Sequence, residues 1–383
     1  MNKLFKLALF VIIIANLFII LSGKNWLYKG IAITYLKGYT SSYIDDFIYF
    51  PYKKIEVGAH QPWKISKKYN KSKLPKFLQN LNDSLETTAL MIIINDSIRY
   101  EKYWGGYSSD SMSNSFSMSK SWVSTLVGVA IKEGEINSVD QAVCDFLPDF
   151  CSGKNSKITI RHLLTMSSGL NWKEDYHNPL GQTAEAYYGN NIKRLTMSLE
   201  GIEDPGKNFK YHSSCSQLLT FVVESATKKT ISKYASEKLW VPMGAKQPAL
   251  WSTDSENGDE KGFCCINSNA RDFARLGKLY LNFGRWNGAQ ILDSSYVIAA
   301  TSSSNLLNKK GGKNTSYGYQ WWVANYKQLK IYYARGLWGQ YVICIPAKNM
   351  IIVRLGKKDD ELLQNGHHKD FYLFVEGALQ MYP

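Results

Sequence analysis

Strand-like segments lie near both ends of the chain, and helical patterns fill the space between them. Residues 89–95 (Ala-Leu-Met-Ile-Ile-Ile-Asn) and 97–104 (Ser-Ile-Arg-Tyr-Glu-Lys-Tyr-Trp) are rich in β-formers and read as a hairpin turning near Asn95-Asp96. Strands return at 329–334, 340–345 and 350–355. The last two are joined by a turn at Pro346-Ala-Lys-Asn, and a final helix covers about 369–381. Between these groups, helices are expected at 117–132, from Thr159, at 214–228 and at 268–280, the last with Ser268 as a candidate N-cap. Distant strands with helices between them imply one discontinuous α/β domain holding a mostly helical insertion at about 135–290. A cleft between such layers is where ligand sites concentrate.

At 383 residues with 45% hydrophobic content, the chain can bury a large core, and disorder is not expected. The N-terminus reads Met-Asn-Lys-Leu-Phe-Lys, followed by an uncharged apolar run at 7–22. A basic start before an apolar run is an export signal. No small-x-small cleavage site is obvious, so an uncleaved anchor at 1–23 is favoured over a cleaved signal, and the body is expected outside the cytoplasm, held at the membrane by residues 7–22. Residues 24–84 read as an extension before a domain at 85–383, with 24–75 lacking a helical period. The net charge of +14 comes from dispersed lysines. Together with the export signal, this points to a basic surface near anionic membrane or wall polymer and not to nucleic acid.

Six cysteines fit an oxidising compartment. Cys144 and Cys151 flank a short loop and could bridge it. Cys264 and Cys265 are adjacent and are not expected to pair with each other. Cys215 and Cys344 read as buried small apolar residues. The histidines are scattered, apart from the adjacent pair His367-His368, so neither a metal nor a cofactor is expected.

Ser117-Met-Ser-Lys120 opens the apolar run Trp-Val-Ser-Thr-Leu-Val-Gly-Val-Ala-Ile. Residues three apart on a helix are neighbours, so this spacing sets a hydroxyl beside an amine. Unpaired N–H groups at the helix start favour a developing oxyanion. Alone the pattern is weak, because Ser225-Ala-Thr-Lys228 repeats it near the end of another helix, where it reads as solvated surface. Tyr211-His-Ser213 stands on a loop just before a helix; its phenol could relay a proton or simply be half-buried with its hydroxyl satisfied. Gly336-Leu-Trp-Gly339 lies between two late strands, either as a plain hairpin turn or as a backbone edge that a ligand can approach. Trp321, Trp322 and Trp338 could line an aromatic pocket, although packing is their commoner use.

Taken in order, Ser-x-x-Lys, Tyr-x-Ser and a Gly-rich edge between late strands resemble the β-lactamase-related serine hydrolases. These include class C β-lactamases, D-amino-acid peptidases, related esterases and, closest, the 6-aminohexanoate-dimer hydrolase-like branch. Further matching phrases are Ile158-Thr-Ile-Arg-His-Leu-Leu-Thr-Met-Ser-Ser-Gly-Leu, Asp204-Pro-Gly-Lys, Arg271-Asp-Phe-Ala-Arg-Leu-Gly and Gly339-Gln-Tyr-Val-Ile-Cys-Ile-Pro. The resemblance covers about residues 85–383 and implies an α/β, β-lactamase/transpeptidase-like fold, with an antiparallel sheet flanked by N- and C-terminal helices plus the mostly helical insertion. It also implies Ser117 as nucleophile, Lys120 as its base and Tyr211 as proton shuttle. The oxyanion would be held by the N–H groups of Ser117 and Leu337, with Gly336, Tyr176, Ser213 and Trp338 around the substrate.

Two departures from the family pattern matter. Ser213 replaces an Asn, and Ala334-Arg335-Gly336 stands where Lys-Thr-Gly or His-x-Gly is usual, so a common carboxylate anchor is missing; Lys309-Lys-Gly-Gly, in a loop before the strands, is a poor substitute. A small-molecule or peptide-like amide or ester is therefore the expected substrate. The alternatives are a cell-wall D-peptidase or β-lactamase-like enzyme, a non-catalytic penicillin-binding-type sensor, and a purely structural membrane-tethered domain. The mechanism needs Lys120 uncharged near pH 7, which means bringing it down from about 10.4 at a cost of roughly 4 kcal/mol.

Overall fold

The structure is a computed structural model and describes residues 3–308 and 311–383. Met1 and Asn2 of the basic N-terminal stretch, and Lys309-Lys310 of the Lys-Lys-Gly-Gly segment, lie outside the described residues.

The expected pairing of distant strands forms a seven-stranded sheet. Its order is Trp322–Tyr326, Leu329–Gly336, Gln340–Ile345, Met350–Gly356, Thr87–Ile94, Ser97–Tyr103 and Lys64–Ile65. All neighbours are antiparallel except the last pair. The Met350–Gly356 strand is buried along its whole length, as suits a strand covered on both faces. The hairpin between the second and third of the sheet's sequence-early strands turns at Asn95 and Asp96, both with positive φ (51° and 59°), the geometry that matches strand twist.

Helices cover both faces. On one face, Gly277 of the Ala270–Leu281 helix lies against Ile351, Cys344 and Val342. On the other, Phe371 of the Lys369–Met381 helix stacks on Tyr333, and Gly377 of that helix meets Leu78 of the Lys76–Ser84 helix. The Ser119–Lys132 helix is buried over nearly its whole length and packs against the Ser213–Thr227 helix in the helical part. The mixed architecture is the β-lactamase/transpeptidase-like fold.

Several local expectations are corrected. Residues 24–75 hold a helix, Trp26–Ile33, and a strand, Tyr52–Ile55. That strand belongs to a second sheet, ordered Tyr52–Ile55, Ala249–Ser252, Ile266–Ser268 and Ser113–Asn114. Strands of two to four residues are too short to show a period in sequence. Ser268 ends a strand, and the helix behind it is capped by the Asn269 side chain, which accepts from the Asp272 N–H. The nucleophile candidate precedes its helix: Phe116–Met118 is a tight 3₁₀ turn and the α-helix runs Ser119–Lys132.

Cys144 and Cys151 are disulfide-bonded. So are Cys264 and Cys265, against the expectation for adjacent cysteines. Cys265 adopts a left-handed φ of 77°, which breaks the alternation that would point neighbouring side chains apart. Cys215 and Cys344 are free and buried.

Candidate active site

Ser117 is carried on the short turn between the Ser113–Asn114 strand and the Ser119–Lys132 helix. Phe116, immediately before it, holds a left-handed φ of 44°, and its N–H is taken by the Asn114 side chain at 2.9 Å. Ser115 ties the turn to the small sheet: its N–H reaches Ile266 O at 2.9 Å, and its hydroxyl accepts from the Ile266 N–H at 3.1 Å. A non-glycine residue in this region is strained unless its surroundings over-determine it, and such strain gathers at functional sites. Ser117 itself is only partly covered, whereas Phe116, Met118, Ser119 and Lys120 are buried.

The Lys120 amine lies 3.0 Å from Ser117 Oγ and 2.6 Å from the Phe263 carbonyl oxygen. It is 1% exposed. Burial brings its pKa down to about 8, although the charge of Glu174 and the Cys215 thiol act in the opposite direction. Uncharged, the amine can donate one N–H to Phe263 O and turn its lone pair to Ser117. The Phe263 segment is itself braced, because Gln217 takes the Gly262 N–H at 2.8 Å and donates to Glu260 O at 2.9 Å.

Tyr211 shares the site. Its hydroxyl is hydrogen-bonded to Ser117, and its ring centroid lies 5.3 Å from Lys120 Nζ. Burial pushes the phenol up, beyond the help it receives from that hydrogen bond, so it stands as a neutral proton donor. Behind it, Trp322 stacks at 5.6 Å and Tyr317 meets it edge-on at 5.9 Å.

Ser213, two residues on, opens the Ser213–Thr227 helix. Its N–H and hydroxyl both go to Glu174, at 2.7 Å each. Glu174 also accepts from Trp172 Nε1 and from the Tyr176 hydroxyl, at 2.6 Å each. Tyr176 is 49% exposed, while its hydroxyl end is enclosed; burial and the Glu174 charge push that phenol up. Glu174 was not singled out in the sequence. Its only signal there was a carboxylate two residues from the matched tyrosine.

The opposite wall is the end of the Leu329–Gly336 strand. A Cβ on Gly336 would stand 2.1 Å from the Ser115 carbonyl, so glycine lets this edge meet the turn that carries Ser117. Leu337–Gly339 then form a tight turn with positive φ at Trp338 (61°) and Gly339 (69°). Its carbonyls face inward. Gln340 Nε2 donates to Leu337 O and Trp338 O, and Arg354 Nη1 to Trp338 O and Gly339 O. Both side chains are fully buried. Trp338 is half-buried and donates its indole N–H to Ser42 O at 2.8 Å. Arg335 stacks on Trp322 at 3.6 Å and donates to Gly366 O at 2.9 Å. Ala334 and Trp321 are buried in the core.

The second Ser-x-x-Lys is unlike the first. Ser225 donates to Phe146 O, and Lys228 is an exposed, left-handed helix end. Among the described residues no cluster of metal-binding side chains occurs.

This arrangement matches a known family. The β-lactamase family model covers residues 74–371. The chain belongs to the β-lactamase family. Its members are serine hydrolases that work through an acyl-enzyme, with some non-catalytic relatives. The 6-aminohexanoate-dimer hydrolase of Paenarthrobacter ureafaciens is 25% identical over 317 residues, covering 77% of this chain and 79% of that protein. A solved Bacillus anthracis structure assigned to the 6-aminohexanoate-dimer hydrolases superposes with a TM-score of 0.74 at 21% identity, over 92% of this chain and 93% of the other. A class C β-lactamase gives 0.60 at 16% identity, over 80% and 94%. The two solved structures share the β-lactamase fold with this chain.

Proposed function

We propose that this β-lactamase-family chain is a serine hydrolase that cleaves a small amide or ester through an acyl-enzyme on Ser117. One observation carries the reading: the buried Lys120 amine, with its pKa brought down to about 8, lies 3.0 Å from the Ser117 hydroxyl. Near neutral pH a usable fraction of that amine is uncharged and can take the serine proton. Ser117 attacks the carbonyl, and the N–H groups of Ser117 and Leu337 receive the oxyanion. Tyr211, held as a phenol beside Ser117, protonates the leaving amine or alcohol. Water then attacks the acyl-enzyme, gives up its proton to the same pair, and releases the acid.

The substrate class follows from the departing residues. Ala334 is apolar and buried where a lysine would meet a carboxylate, and the Ser213 hydroxyl is committed to Glu174. A small amide or ester fits this groove better than a β-lactam or a D-peptide. For location, the Lys3–Leu21 helix is apolar, exposed along nearly all its length, and about 28 Å long at 1.5 Å per residue, close to the hydrocarbon thickness of a bilayer. We read it as an anchor that holds the domain outside the cytoplasm.

The test is intact-mass detection of an acyl adduct across a panel of small esters, amides and β-lactams, with Ser117→Ala as control. An adduct with an ester or amide, absent in the variant, supports the reading. No adduct with any member, and no labelling by a fluorophosphonate, rejects it in favour of a non-catalytic relative.

A further inference from the structure

The segment that follows the N-terminal helix is fastened to the loop that carries Tyr176. Lys24 lies three residues beyond Leu21, at most about 11 Å of chain. Its amine donates to Leu180 O at 3.2 Å. Leu180 is four residues from Tyr176, on the same loop. The other wall is tied to the same N-terminal segment through Trp338 and Ser42. Wherever the N-terminal helix ends in a bilayer, the Tyr176 loop and the Trp338 turn are therefore close by.

The Trp26–Ile33 helix shows what that surface meets. Its inner side, Gly30 and Ile33, is buried, with Gly30 against Tyr188. Its outer side carries Tyr28, Ile31 and, one turn on, Tyr35, exposed by 42%, 40% and 56%. Tyr28 and Ile31, three apart, share one face of the helix, and Tyr35 stands on the short turn Tyr35–Lys37 that follows it. Leu36, exposed by 75%, extends it. Lys24 and Lys37 flank this apolar strip. The Tyr28 hydroxyl bonds Asn16 Oδ1 at 2.8 Å, and Asn16 sits about 7.5 Å below the end of the N-terminal helix. That depth is typical of an interfacial helix, whose apolar face sinks about 5–10 Å. An apolar, aromatic face bordered by lysines and continuous with a membrane helix complements an anionic lipid surface.

We propose that this outer face lies in the anionic interface of the bilayer, so that the Ser117 groove opens at the membrane and takes amphiphilic amides or esters held there by an apolar tail. The inference rests on the hydrolase and anchor readings above and adds the origin of the substrate.

The test uses the full chain reconstituted in nanodiscs of phosphatidylglycerol. An environment-sensitive fluorophore on Leu36→Cys is quenched by shallow-brominated lipid if the face is docked, and Ile31→Glu/Leu36→Glu protects a label at Tyr35→Cys. Activity is read with two esters sharing one head group, one short-chain and soluble, the other long-chain and bilayer-borne. The expected result is quenching, together with a loss of kcat/KM in the double-glutamate protein that is about tenfold larger for the long-chain ester. No quenching overturns the docking, whatever the kinetics. Quenching with equal losses for both esters overturns the amphiphilic substrate class. Inactivity toward both esters counts against the hydrolase reading, while the quenching still decides the surface; release of the chain from membranes by carbonate rejects the anchor separately.

Discussion

Glu174 receives both the backbone N–H and the hydroxyl of Ser213, at 2.7 Å each, at the start of the helix that follows Tyr211. A carboxylate at a helix N-terminus satisfies otherwise orphaned donors, and here it also fixes the Tyr176 hydroxyl. Glu174→Ala should release Tyr176 and loosen the Tyr211 segment, lowering kcat about tenfold or more with the fold intact by circular dichroism. Glu174→Gln removes a charge that raises the Lys120 pKa, so the acid limb of the pH–rate profile should move to lower pH. A limb that stays in place or moves upward would show that Glu174 does not act on Lys120.

The pH dependence of the unmodified protein has a definite sign. Below about 8 the Lys120 amine is increasingly protonated, and only its shrinking uncharged fraction can accept the serine proton. Log kcat/KM for a small ester should therefore rise with unit slope through the acid range and level off near pH 8, a change of about tenfold per pH unit. A profile flat from pH 5 to 8 would place the base elsewhere.

Ser117→Ala and Lys120→Ala should each lower kcat/KM by at least about 10³-fold, and the double variant by little more, because the two groups act as one unit. Kinetics of all three proteins at one pH check this. Independent, additive losses would mean that serine and amine do not share a proton.

Gly336→Ala places a methyl group 2.1 Å from the Ser115 carbonyl oxygen, a backbone atom, and 3.1 Å from Gln340 Cβ. The strand edge must then retreat from the nucleophile turn. The expected cost is about 1–3 kcal/mol in urea unfolding, with a fall in kcat larger than any change in KM because the oxyanion donors separate.

Arg354 is fully buried and donates to the carbonyls of Leu85, Trp338, Gly339 and Lys358. Arg354→Met strands several of these acceptors. Unfolding free energy should drop by about 3 kcal/mol or more, measured by chemical denaturation. Arg354→Lys should recover part of the stability but not the shape of the 337–339 turn, which a KM-against-kcat comparison reads out.

Spacing by itself brought together only residues whose partner is close along the chain, while Tyr211, Tyr176 and Leu337 were reached through the order of motifs that the family resemblance supplies. Ser117 and Lys120 are three apart and meet on one turn. The 89–104 hairpin and the 340–356 pair carry their β-formers and their turns locally. The small sheet was not legible, because strands such as Ser113–Asn114 have no room for a period. Nor was the Cys264–Cys265 bond, which depends on one left-handed backbone angle. The helix at Trp26–Ile33 escaped because its outer side is as apolar as its inner one, so no polar face marks the period.

By itself the sequence determined the longer elements and the closeness of Ser117 and Lys120, because helix periodicity, strand alternation and i, i+3 spacing act over a few residues. Only the tertiary structure decided what those residues can do. The Lys120 pKa is brought down by burial, and its amine is held by Phe263 O, 143 positions away; the 337–339 turn is shaped by Arg354; Ser213 is held by Glu174, 39 positions away. Such contacts are set by how layers pack, and desolvation and Coulomb forces depend on distance in space, which the order of residues along the chain does not encode.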